Sequence, residues 1–278
     1  MSTPIALTGV TGAVGGRVAR ELADAGHPLR LLVRDPSRAP ELPETEVVRA
    51  SFADTGDALE GVRLLVMVSA AENAERLAEH LAFVASAAAA GVEHVVYTSF
   101  AGAAPNAVFT LARDHAATED AIRRSGMTWT FLRDNLYLDF LPAMLDEDGM
   151  IRGPAGQGRA AVVAREDVAR AAAAILRAPE KHRGAAYELT GPEALTLDEV
   201  AAALTAAGRP AVFIDETLDE AYASRRRWNA PDWQLDAWIS TYTAIAAGQL
   251  EHVSGDVQRL TGRAPLSLAG FLKREARG

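Results

Sequence analysis

Residues 8–15 read TGVTGAVG and directly follow the apolar run PIAL (4–7). Glycine at 9, 12 and 15 strips side chains from a short stretch of backbone, as a βα turn requires when main-chain N–H groups must approach a phosphate. Gly9 permits the tight turn, and the later glycines permit close approach of ligand and helix. The helix that follows, patterned by Val14, Val18 and Leu22, turns the positive end of its dipole toward the same spot. The spacing is Gly-x-x-Gly-x-x-Gly rather than the Gly-x-Gly-x-x-Gly of most dehydrogenases. About 20 residues on, where a dinucleotide-binding turn keeps its ribose-reading residue, the run LRLLV (29–33) ends in Arg34, with Arg38 four further. An acidic residue here bonds the 2′-hydroxyl of NAD, and Asp35 could do so. A guanidinium is a planar bidentate donor suited to a 2′-phosphate, so Arg34 and Arg38 favour NADP(H) as the cofactor.

A second group could move protons. His115 and Glu119 stand four apart on a helical segment, hence on one face. A carboxylate beside an imidazole fixes its tautomer and raises its pKa, which suits a proton donor near neutrality. Leu111 and Ile122 share that stripe, so a core histidine is the alternative reading. The Tyr-x-x-x-Lys pair of ordinary short-chain reductases is missing. Tyr97, Tyr137, Tyr187, Tyr222 and Tyr242 are followed four residues later by Ala101, Leu141, Gly191, Arg226 and Ala246, and no lysine precedes Lys181. His27, His80, His94, His182 and His252 show no metal-ligand spacing, so no metal is expected.

The elements that must hold these residues alternate. Strand-like runs at 4–7, 29–33, 46–48, 63–68, 93–98 and 128–132 are mostly separated by helical patterns, one over 72–90 with Ala74, Leu77, Leu81, Val84 and Ala88 on its apolar stripe. Alternation of this kind predicts a Rossmann-type, doubly wound parallel α/β sheet over residues 1–133. Beyond it the rhythm changes. Residues 134–278 read as a smaller α/β lobe, partly returning to the first core, with a capping box at Thr196 and Glu199 and a helical remainder. Trp228, Trp233 and Trp238 in that remainder are read as packing rather than a substrate cage.

Composition excludes other classes. The 278 residues carry a net charge of −9, which argues against nucleic acid as a partner. There is no cysteine, hence no disulfide, thiol nucleophile or thiolate metal site. No secretory leader pattern and no apolar run of membrane-span length is visible, which predicts a soluble cytoplasmic protein with no membrane partner. No helix is patterned as a symmetric interface, so the oligomeric state is left open.

TGVTGAVG, VRDPSRA (33–39), VVYTS (95–99), LARDHAATEDAIRRSG (111–126) and TWTFLRDN (128–135) together resemble the NmrA-like, atypical short-chain dehydrogenase/reductase family, in particular its NADPH:quinone oxidoreductases. The likeness runs nearly the full length. It implies that NADPH lies across the strand ends, with substrate in a cleft between the lobes. Thr8, Gly9, Thr11, Gly12, Ala13, Val14 and Gly15 would wrap the pyrophosphate, and Arg34 would hold the 2′-phosphate. Ser51 and Phe52 would border the adenine, although relatives commonly have an acidic residue before the aromatic. Ser69 and Ala70 would line ribose and diphosphate, and Thr98, Ser99 and Phe100 would reach the nicotinamide. Where relatives often carry glycine, Asn135 would narrow the wall. His115 falls where the related isoflavone and pinoresinol reductases place their lysine. Tyr137, Leu138 and Phe140, directly after the sixth strand, are the expected substrate wall.

Hydride passes directly to a quinone, and the hydroquinone anion is weakly basic, so water can protonate it. A missing Tyr–Lys pair therefore fits a quinone-like small-molecule acceptor better than a carbonyl, whose reduction leaves an alkoxide. The sequence thus points to an NADPH-dependent quinone oxidoreductase. The alternatives are an NADP-binding, redox-sensing regulator without turnover, and an epimerase or reductase of a small carbonyl metabolite.

Overall fold

The computed structural model describes residues 3–276. The first half runs β1 (Ile5–Leu7), α1 (Ala13–Asp24), β2 (Leu29–Val33), β3 (Thr45–Arg49), β4 (Leu64–Met67), α2 (Arg76–Ala89), β5 (His94–Phe100), α3 (Thr110–Arg124) and β6 (Thr128–Asp134), with β2, β3 and β4 following one another without an α-helix between them. After them come β7 (Met150–Gly153), α4 (Arg165–Leu176), β8 (Ala185–Leu189), α5 (Leu197–Ala206), β9 (Val212–Asp215), α6 (Leu218–Arg225), α7 (Asp232–Ala246), α8 (Asp256–Thr261) and α9 (Leu268–Glu275).

Seven strands form one sheet in the order β3-β2-β1-β4-β5-β6-β8, and β1 to β5 pair in parallel. This is the doubly wound order of a Rossmann fold, and its switch point lies between β1 and β4, where the chain direction of winding reverses. A parallel sheet is covered on both faces, so its central strands are apolar throughout rather than alternating. All three residues of β1 and all seven of β5 are buried. Tyr97, Phe83 and Phe131 are among the largest fully buried side chains of this core; replacing such a ring by alanine costs about 3–5 kcal/mol.

The chain divides into two compact units. The first comprises the chain up to Phe100, with Asp114–Arg133 and Val168–Tyr187. The second comprises Ala101–Arg113, Asp134–Asp167 and the chain from Glu188 onward. In the second unit β7 and β9 form a parallel pair, with Met150 opposite Val212. β9 corrects the expected all-helical remainder: its four residues carry too short an apolar pattern to stand out, and pairing with β7 makes them a strand. The ring of Tyr242 lies where a side chain on Gly153 would be, 2.3 Å from the Cβ position. The capping box at Thr196 and Glu199 is formed. Trp228 is 53% exposed and meets Trp238 edge-on at 5.7 Å.

One helix face differs from the expected stripe. The buried residues of α2 are Arg76, His80, Phe83, Val84 and Ala87, whereas Leu81 is 39% exposed. The helix is turned so that an arginine and a histidine face inward, and the reason lies in the site they support.

Candidate functional site

At the switch point β1 runs into the glycine turn. Gly9 has φ +66°, and a Cβ there would stand 2.9 Å from the Cβ of Val68. Left-handed backbone and a crowded neighbour both demand glycine. A Cβ on Gly15 would lie 2.4 Å from the carbonyl oxygen of Gly9, so this glycine lets α1 close on the turn. Gly12 is the N-cap of α1, whose first turn holds neither a side-chain cap nor an acidic residue. Thr11, Gly12 and Ala13 are exposed, while Val14 is buried in the helix packing. The N–H groups of a helix's first turn have no partner within the helix. Here no capping side chain takes them, and the dipole adds positive charge. The turn is thus shaped to hold an anion such as a diphosphate.

The Thr8 side chain is engaged by the backbone that follows β4. Its hydroxyl accepts the N–H of Val68 at 2.9 Å and donates to the Val68 carbonyl at 3.0 Å. The next N–H, of Ser69, is accepted by Thr98 Oγ1 at 2.9 Å, and that of Ala70 by His80 Nε2, also at 2.9 Å. Three successive N–H groups after β4 are therefore taken by side chains from β5, α2 and the end of β1. The carbonyl of Ala70 is held in turn by Arg76 Nε at 3.0 Å. Ser69 and Ala70 form a rigid ledge, with their amides already engaged.

Behind the ledge lies a buried polar network. Arg76 is 4% exposed and reaches Asp114 at 3.2 Å and His115 Nε2 at 2.9 Å. A guanidinium only donates, so His115 accepts through Nε2 and carries its proton on Nδ1, which faces Tyr97 Oη at 2.8 Å. His80 is arranged alike: Nε2 accepts from Ala70, and Nδ1 faces Thr118 Oγ1 at 3.1 Å, whose own proton goes to the Asp114 carbonyl. Burial, reinforced by Arg76, lowers His80 to about 3 and holds His115 well below the usual histidine range.

These facts correct the expected His115–Glu119 pair. Glu119 accepts from Ser99 Oγ at 2.7 Å and pairs with Arg133 at 2.7 Å and Arg123 at 2.9 Å. The four-residue spacing puts both side chains on one side of α3, but two arginines and a serine draw the carboxylate away. The imidazole is lowered rather than raised, because it is buried and its charged neighbour is Arg76. His115 is a neutral hydrogen-bonded member of the core, with Phe100 stacked near it at 6.1 Å between ring centroids. Ser99 is likewise turned toward Glu119, while Thr98 faces the ledge.

The segment directly after β2 is exposed. Arg34 and Arg38 are exposed, and among the described residues neither makes an ion pair. Asp35 caps the short turn Pro36–Arg38, accepting from the N–H and hydroxyl of Ser37 at 3.1 and 2.7 Å, which hold its carboxyl below the usual range. Half-buried Phe52 packs one side against His80 and Phe83; Ser51 closes a turn with Asp54.

In the second unit, Asn135 donates to the Leu250 carbonyl at 2.9 Å and accepts the Leu136 N–H at 2.7 Å. Its amide is spent on the backbone, which anchors the side chain. Leu138 is 1% exposed and is part of the core, whereas Phe140 is 53% exposed. Half-buried Tyr137 donates to the carboxylate of Asp134. Sequence reasoning passed over Arg76, His80 and Asp134. For the first two a signal exists: 76, 80, 83 and 87 follow helical spacing on the helix directly after the β4 loop.

Fold and turn together define a dinucleotide-binding oxidoreductase domain, and comparison with known proteins agrees. Residues 9–179 match the family described as NAD(P)H-binding. The chain is 32% identical to an NAD(P)H azoreductase of Xenophilus azovorans over 98% of each chain. It is 32% identical to quinone oxidoreductase 2 of Escherichia coli over 95% of this chain and 96% of the relative. The structure of that enzyme complexed with NADPH superposes with a TM-score of 0.87 at 30% identity, covering 98% of this chain and 99% of the other. NmrA, a negative transcriptional regulator, shares the fold at 18% identity and a TM-score of 0.76. The chain belongs to the NAD(P)H-binding family, and the class it forms with these relatives is that of NAD(P)H-dependent oxidoreductases. Among the described residues no helix is long and apolar enough to cross a membrane.

Proposed function

We propose that this chain is an NADPH-dependent reductase of a quinone-like acceptor. The observation that carries the reading is the conjunction of an uncapped, glycine-lined α1 terminus with Arg34 directly after β2, beside an aspartate already engaged by Ser37. The diphosphate rests on the N–H groups of Ala13, Val14 and Gly15, flanked by Thr11 and Gly12. Arg34 and Arg38 take the 2′-phosphate as charge-assisted hydrogen-bond donors. Ser51 and the open side of Phe52 border the adenine. Ser69 and Ala70 give the ribose a fixed wall, and Thr98 and Phe100 limit the nicotinamide end. Bound there, NADPH supplies a hydride. The protein's contribution is positioning; neutral His115, held by Arg76, has no proton to spare for the acceptor.

The names of the relatives support an electron-poor aromatic acceptor, and the weak basicity of a hydroquinone anion removes the need for a Tyr–Lys acid. The test is loss of NADPH absorbance with a panel of benzo- and naphthoquinones. Turnover with at least one quinone is expected. Tight NADP binding with no turnover would replace this reading by the sensing regulator.

A further inference from the structure

We propose that Arg49 is a third cation of the 2′-phosphate site, supplied by β3 beside Arg34 and Arg38, and that it sets how strongly the protein prefers NADPH to NADH. The inference rests on the reading above, in which Arg34 and Arg38 receive that phosphate.

β2 and β3 run parallel, with Val33 opposite Arg49. The Ala50 N–H donates to the Val33 carbonyl at 2.9 Å, so the two strands end side by side. Neighbouring strands lie about 4.8 Å apart, and Arg34 follows Val33 directly. Arg34 and Arg49 therefore start from adjoining positions of two paired strands. β3 is the outermost strand of its sheet, and Arg49 is exposed on it. Among the described residues its side chain makes no ion pair and no hydrogen bond. The carboxylates near it are otherwise engaged. Glu46 is taken by Arg30 at 2.6 Å, Asp54 accepts the Gly56 N–H at 3.2 Å, and Asp35 accepts twice from Ser37. Asp57 borders the same surface hollow as Arg49 without pairing with it. The Ser37 hydrogen bonds lower the Asp35 carboxyl, and Arg38 and Arg49 each add to the effect, so both guanidinium groups act on the residue that follows Arg34.

Arg34, Arg38 and Arg49 stand against the single carboxylate of Asp35, which leaves a surplus of positive charge at this corner of the sheet. A phosphate monoester carries about −1.5 to −2 at pH 7, and it can neutralise that surplus. The 2′-hydroxyl of NADH carries no charge and leaves the three guanidinium groups repelling one another. Arginine suits the task because its planar fork can share the oxygens of one phosphate with a second arginine. A cation kept only to block pairing at the sheet edge would be indifferent to the 2′-phosphate.

The test is calorimetric titration of NADPH and NADH into the intact wild type, Arg49→Gln and Arg49→Lys, with a thermal melt of each. The wild type is expected to prefer NADPH. Arg49→Gln should weaken NADPH about tenfold and NADH by less than about twofold, with an unchanged melt. Arg49→Lys keeps the charge but not the fork, and should recover part of the loss. Added salt should weaken NADPH binding more steeply in the wild type than in Arg49→Gln. If the wild type prefers NADPH and Arg49→Gln keeps that preference, or weakens both dinucleotides equally, Arg49 is not part of the site. If the wild type binds NADH as tightly as NADPH, or binds neither, the reading beneath fails instead. Should Arg49→Gln not fold, Arg49→Lys decides: a loss toward NADPH alone supports the assignment, and unchanged affinity for both overturns it.

Discussion

His80 accepts the N–H of Ala70 at 2.9 Å while Arg76, one helical turn earlier, donates to the carbonyl of the same residue at 3.0 Å. The two peptide units that flank the Ala70 Cα are thereby each held by a buried side chain of α2. The grip fixes the ledge after β4 independently of any ligand, which is the condition for a preorganised site.

His80→Ala leaves a buried N–H unsatisfied and opens a cavity beside Phe52 and Phe83. A stability loss of about 2–4 kcal/mol is expected, with the KM for NADPH raised about tenfold as the ledge loosens. His80→Gln places an amide oxygen near the Nε2 position and should recover most of the KM. Thermal melts and initial rates over an NADPH series read both effects. Equal KM values in the two variants would show that the ledge does not contact the dinucleotide.

Two glycines of the turn separate folding from binding. A methyl on Gly15 would meet the Gly9 carbonyl at 2.4 Å, so Gly15→Ala should destabilise by about 1–3 kcal/mol and also weaken NADPH binding. A methyl on Gly12 meets the same oxygen at 3.2 Å, a contact that a shift of a few tenths of an ångström relieves. Gly12→Ala should therefore melt close to the wild type yet bind NADPH about tenfold more weakly, because the methyl stands where the phosphate approaches. Calorimetric melts with a parallel NADPH titration distinguish the two.

The three glycines and Arg34 were legible in the sequence because local backbone and element order dictate them. Gly9 and Gly15 stand where no Cβ fits, and Arg34 follows β2 directly. The capping box at Thr196 was legible for the same reason. Arg76 and His80 were not, since their burial answers to Ala70, an acceptor and donor displayed by a loop rather than by α2 itself. A hydrophobic stripe through Leu77 and Leu81 therefore looked equally good. The i, i+4 rule set His115 and Glu119 side by side, but it carries no information on Ser99 and Arg133, which come from other strands and decide where the carboxylate points. Asp134 escaped notice because its burial comes from the chain beyond β6.

The buried histidines predict acid sensitivity. His80 is lowered to about 3, His94 to about 4, and His115 well below its usual value, so all three are neutral in the fold. Unfolded, each titrates near 6.5. Below that pH the unfolded chain binds more protons, and stability falls by about 1.4 kcal/mol per pH unit for each histidine until its folded pKa is reached. Asp134 has the opposite sign. Raised to about 7, it is protonated in the fold where the unfolded chain is ionised, so its favourable contribution is complete at low pH and is lost as pH rises from about 4 through 7. Three histidines outweigh one aspartate, and the melting temperature should drop steeply between about pH 6.5 and 5. Asp134→Asn should raise the melting temperature more at pH 8 than at pH 5, and scanning calorimetry of both proteins across this range checks the two signs together.

The most direct test of the account is calorimetric titration of NADPH and NADH into the wild type and Arg34→Ala. NADPH should bind the wild type more tightly than NADH, and Arg34→Ala should lose about 2 kcal/mol, roughly 30-fold, toward NADPH with little change toward NADH. Absence of binding by either dinucleotide, or an equal loss toward both in the variant, would contradict it.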